Sequence, residues 1–147
     1  DDALRLFDVI SVLEGLAARR LAERVAPETL DRLEALHAQM LEHHRKGEAT
    51  RYFDVNTAIH DMIVEACANP VLVETHQRLI ARARRGRFLA IMEPARLAQA
   101  VSEHEAVMQA FRARDADAAA RVWEQHLRHT GETVAEVLAG RETDGVA

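Results

Sequence analysis

His104 and His126 stand eleven residues either side of Asp115, and that symmetry limits what the segment 102–126, SEHEAVMQAFRARDADAAARVWEQH, can become. In one unbroken helix, at 1.5 Å rise per residue, the two imidazoles would lie about 33 Å apart. If the chain turns back at Arg114-Asp115-Ala116, two antiparallel helices leave the turn in step and His104 comes level with His126 across the hairpin. In YFDVNTAIHDMIVEACANP, Asn56 and His60 are spaced i,i+4, so an oxygen donor and a nitrogen donor share one face of another helix. Three imidazoles and one oxygen from three helices make a candidate transition-metal site of Asn56, His60, His104 and His126.

The rest of the chain reads as helix. Leu6, Ile10, Leu13, Ala17 and Leu21 recur at three- and four-residue steps, which predicts a first helix over about 3–25 that stops before Pro27. Pro27 opens a second helix with the stripe Leu30, Leu33, Leu36 or His37, and Met40, and Gly47 ends it. A third, about 48–68, carries Phe53, Asn56, His60, Val64 and Cys67 inward. Asn69-Pro70 caps and starts a fourth, about 70–91, which carries Leu72, Leu79, Ile80 and Ala83 and five arginines in ten residues. Glu93-Pro94 precedes a fifth helix with Leu97, Val101, His104, Met108 and Phe111 inward. Asp115 or Asp117 caps a sixth, whose stripe is Ala119, Val122, Trp123, His126, Thr130 and Val137. The expectation is one all-α antiparallel bundle of about six helices over residues 1–139, with a frayed tail at 140–147.

Composition agrees and narrows the function. At 147 residues, with six glycines and three prolines, the chain suits one helical core. A net charge of −5 offers phosphate backbones no general attraction, so the domain is not expected to hold DNA by itself. Cys67 is the one cysteine, which leaves no disulfide framework and fits a reducing compartment. No apolar run approaches the roughly 20 residues of a membrane span, and nothing reads as a signal peptide, so a cytoplasmic setting is expected.

The segments LFDVISVLEGLAARRLAER, FDVNTAIHDMIVEACANPVLVE and SEHEAVMQAFRARDADAAARVWEQH together resemble the C-terminal ligand-sensing domain, of the FCD type, of FadR-branch GntR transcription regulators. The likeness runs from about Leu6 to Leu138. It implies a helical bundle, dimeric in its parent protein, that binds a small organic acid and often a divalent metal, with Asn56, His60, His104 and His126 at the ligand positions. Zinc is the first expectation for that metal and nickel the second. Asn56 stands where the family often has Asp, a stronger donor, and Ile10 where many members carry an arginine four residues before the position of Glu14. That absence turns attention to Arg82 and Arg85, one turn apart, as anchors for an effector's carboxylate. The family's N-terminal winged helix-turn-helix has no counterpart here, so DNA binding is expected only of a parent protein.

Two other classes compete. Three histidines with an open position suit a metal-dependent hydrolase, but that needs a general base, and Glu103 and Glu105 flank His104 at helical angles that turn them off its face. A metal-free interaction bundle would keep the histidines as neutral core residues. An effector-sensing, non-enzymatic domain is the leading reading.

Overall fold

The computed structural model describes the backbone of residues 2–146 and the side chains of residues 2–141. Six helices follow one another: α1 Asp2–Arg24, α2 Pro27–Lys46, α3 Ala49–Glu65, α4 Pro70–Ile91, α5 Pro94–Arg112 and α6 Ala116–Val146. No strand occurs among the described residues, and none of their helices is long and apolar enough to cross a membrane.

The boundaries have local causes. Pro27, Pro70 and Pro94 each open a helix, where the missing N–H costs nothing because no partner exists for it. Asn69 caps α4 through its side-chain oxygen, which accepts from the Val71 and Leu72 N–H groups at 3.1 and 3.2 Å. Gly47 ends α2 in the left-handed region at φ 70°, which glycine enters without a steric penalty. At the α5–α6 corner Arg114 takes the left-handed conformation at φ 54°. The Asp115 N–H closes the corner on the Ala110 carbonyl at 2.9 Å, and the Asp115 side chain caps α6 at the Ala118 N–H at 3.0 Å. The chain reverses where the spacing of the two histidines requires.

α1 and α6 form the most extensive helix pair, with α4 against both and α3 also against α1; α5 lies on α6, and α2 packs on α3 and α5. Two glycines allow close approach. A Cβ on Gly131 of α6 would sit 2.5 Å from Phe7 Cβ of α1, and one on Gly86 of α4 would sit 2.7 Å from Val134 Cγ1. Trp123, Phe7, Phe111, Ile10, Leu33 and Ile63 are fully buried between these layers. The backbone of α6 stays helical past Gly140 to Val146. The side chains beyond residue 141 lie outside the described residues.

Candidate metal centre

His60 from α3, His104 from α5 and His126 from α6 converge in the core, each 3% exposed or less. One ligand atom from each lies within 4.8 Å of the others. The ring centroids are 5.5 Å apart for His60 and His104, 5.2 Å for His60 and His126, and 4.8 Å for His104 and His126. Trp123 closes the group, 4.5 Å from the His126 ring and nearly parallel to it, and 4.6 Å from His60. Asn56 is buried one helical turn before His60 on the same side of α3.

Carboxylates decide which way the rings face. Glu14 of α1 is wholly buried; its Oε1 accepts from His60 Nδ1 at 2.6 Å and from Trp123 Nε1 at 3.1 Å, and its Oε2 from His76 Nε2 at 2.9 Å. Glu103 of α5 accepts from His126 Nδ1 at 2.6 Å and from His129 Nδ1 at 2.5 Å. Arg96 completes that second cluster, with its Nη2 2.8 Å from Glu103 Oε1 and donating to Thr130 Oγ1 and to the His126 carbonyl. Arg96 also lies 3.1 Å from His126 Nδ1. A ring nitrogen that gives its proton to Glu103 has no lone pair for it, so the Arg96 protons go to the oxygens.

With Nδ1–H held by a carboxylate, the Nε2 of a neutral imidazole is a bare lone pair. His60 Nε2 and His126 Nε2 stand 3.3 Å apart, and His104 Nε2 is buried with no hydrogen-bond partner. Two facing lone pairs repel and a third buried nitrogen is unpaired, a costly arrangement unless a cation lies among them. The spacing suits one, since nitrogens held 2.0–2.1 Å from a tetrahedral zinc stand about 3.4 Å apart. A carboxylate behind a ligating imidazole is the usual support for such a site. The residues present therefore fit a transition metal.

The electrostatics agree. Burial pushes the His126 pKa down to about 4, against the pull of Glu103 and with the charge of His60. Burial also lowers His60 and, well below its ordinary value, His104, which His126 and His60 push further. Burial alone would raise both acids. His60 and His76 instead hold Glu14 well below the carboxylate range, and His126, Arg96 and His129 hold Glu103 at about 2. Neutral rings backed by ionised carboxylates are the protonation states that ligation requires.

Several expectations change. Glu103 does not turn away from the histidines: it lies behind His126 because α5 presents it to α6 across the hairpin. Glu14 and His76, to which the stripes gave no role, are buried in the same network, although Glu14 falls between Ile10 and Ala17 on the inward face of α1. That position was the available signal, masked by a charge that ordinarily argues for exposure. Arg82 and Arg85 are exposed and line a shallow hollow with Asp2, Leu6, Phe7 and Leu138, away from the histidine rings. Their position one turn apart on the outer face of α4 turns them to solvent, whereas Arg87 and Arg96 are the buried guanidiniums.

The molecule is a six-helix bundle with an inward-facing, carboxylate-braced histidine centre. The FCD domain family matches residues 5–129, and the chain belongs to it: this is an effector-binding domain of the GntR type of transcription regulator. The solved structure of E. coli McbR/YncC is similar, at a TM-score of 0.80 and 18% sequence identity, over 91% of this chain and 64% of that one. At that identity the likeness speaks for the fold, and the chain spans just under two thirds of the relative's length. Comparison with curated proteins finds no significant match.

Proposed function

We propose that this domain senses a small organic acid at a metal held in the bundle by His60, His104 and His126, with Asn56 as the oxygen donor. Zinc is the first candidate for the ion and nickel the second, since imidazole suits both. The observation that carries the reading is the convergence of three imidazoles, two of them with Nδ1 tied to Glu14 and Glu103 and their Nε2 atoms 3.3 Å apart. Bound there, such an ion supplies an open position for a carboxylate oxygen. Arg82 and Arg85, on the outer face, have no part in this version of the site. Ligand binding would favour one arrangement of the bundle and of a homodimer, and so alter the spacing of DNA-binding domains in a parent protein of the reducing cytoplasm.

The hydrolase alternative is weaker for a geometric reason. Glu14 and Glu103 bind the Nδ1 side of His60 and His126, so neither is free on their Nε2 side to take a proton from water. The test is metal analysis of the purified domain with a chelator titration. About one equivalent of metal, whose removal lowers the thermal midpoint and whose binding is lost in His104→Ala, supports the proposal. A metal-free protein indifferent to added zinc and nickel overturns it.

A further inference from the structure

Of the five arginines of α4, Arg78, Arg82, Arg84 and Arg85 are exposed, whereas Arg87 is only 4% exposed. Its one hydrogen bond among the described residues runs from Nη2 to Thr57 Oγ1 at 3.3 Å, and its guanidinium carbon stands 5.8 Å from the centre of the Phe53 ring. Glu14 and Asp61 act on its charge only from beyond ion-pair distance. The Glu14 oxygens are in any case taken by His60, His76 and Trp123. A guanidinium has five N–H donors and cannot shed its charge, and the Arg87 donors that Thr57 does not take are left to the water of the adjoining cleft, where an anion could accept them.

Arg87 opens onto a cleft of about 240 Å³ between α3 and α4, whose walls include Thr57, Asp61, His76, Gln77 and Arg84. We infer that this cleft is an anion site, separate from the histidine centre, which takes a small carboxylate on Arg87, Thr57 and Arg84. Arg84 stands at the exposed side and Arg87 at the buried end, so a carboxylate that enters meets a guanidinium at each end and less water as it goes in. Asp61 and Glu65 on the α3 wall repel a polyanion. They suit a molecule with one carboxylate and a neighbouring hydroxyl or amine, which gives Asp61 a hydrogen bond to accept.

The site is new relative to the reading above, which puts the effector at the metal, and it touches that centre from behind. His76 forms part of the cleft wall and its Nε2 donates to Glu14, which in turn holds His60 Nδ1. An occupant pressing on His76 therefore acts on the orientation of a ring that faces the centre. Trp123, the one tryptophan of the chain, shares Glu14 and reports the disturbance.

The experiment is calorimetric titration of acetate, lactate and inorganic phosphate into the metal-stripped and zinc-loaded domain. Lactate is expected to bind one to one in the metal-stripped domain and more tightly than acetate, and to keep that affinity in the zinc-loaded domain, where any second equivalent belongs to the metal. Arg87→Gln, which keeps a donor for Thr57 but no charge, weakens it at least about tenfold. His104→Ala leaves the affinity within about twofold, because the histidine centre is not the site. Asp61→Asn, on the exposed α3 wall, tightens acetate severalfold by removing repulsion, and it carries the test if circular dichroism shows Arg87→Gln to be unfolded. Lactate should shift Trp123 emission in the wild type and not in His76→Gln. Three results overturn the inference: no binding of any of the three anions at millimolar concentration, full affinity in a folded Arg87→Gln, or loss of binding in His104→Ala. The last would move the anion to the histidines and leave the proposed function intact.

Discussion

Glu14 Oε1 accepts from His60 Nδ1 at 2.6 Å across 46 positions of sequence, from one buried helix face to another. The carboxylate chooses the tautomer of His60 and aims its Nε2 inward. Glu14→Gln keeps the size but replaces a charged acceptor by an amide that can also present its N–H side. Metal affinity should fall about ten- to a hundredfold, the usual cost of losing such a support. Competition with a chromophoric chelator measures it, and wild-type affinity in the variant would show that the contact does not orient the ligand.

Loading and stripping metal should move stability in a predictable way. An ion that binds only the folded bundle adds about 2.7 kcal/mol at a hundred times its dissociation constant. The thermal midpoint is expected to rise with added zinc in the wild type and to stay flat in His104→Ala, whose Nε2 has no other partner to lose. His129→Ala, by contrast, removes a ring that touches the centre only through Glu103, and should retain the rise in weakened form.

Acid should destabilise the metal-free domain before it protonates its folded core. His126 titrates at about 4 in the fold against 6.5 unfolded, and His60 and His104 are lowered in the same direction by burial. As pH falls, the unfolded chain takes up protons first. The stability these neutral rings confer is complete above pH 6.5 and is lost progressively as pH falls to about 4. Glu103, held at about 2 against 4.5, loses its own contribution over a lower window with the same sign. Urea midpoints measured in chelator from neutral pH to about pH 4.5 should decrease throughout; a flat profile would contradict the burial of uncharged histidines.

The close approach of α1 and α6 depends on an absent methyl group. Gly131→Ala would place a carbon 2.5 Å from Phe7 Cβ, and the forced separation should cost about 1–3 kcal/mol. Gly140→Ala, on the same helix with nothing within 4 Å, should instead gain up to about 1 kcal/mol from helix propensity. Denaturant midpoints that shift in opposite directions confirm the packing; equal shifts would not.

The helices, their starts and the inward placement of three histidines are legible in the chain itself. Proline, Asn69 and Asp115 act on backbone groups within a few residues, and a period of 3.6 assigns each side chain to a face. His60, His104 and His126 share that face with Phe53, Met108 and Trp123, so their burial needed no knowledge of the partner helix.

Partnership across helices is a different matter. Periodicity says that Glu14 faces inward, but only the meeting of α1 with α3, α4 and α6 brings His60, His76 and Trp123 to its oxygens and makes a buried negative charge tolerable. The same holds for Glu103, which reads as turned off the His104 face and finds its role on α6, and for Arg87, indistinguishable in the chain from four arginines that meet water. Sequence alone determined the local backbone and the side of each helix that goes in, because those depend on short-range forces. The tertiary structure decided which charges are paired, since that depends on atoms brought together only when the bundle closes.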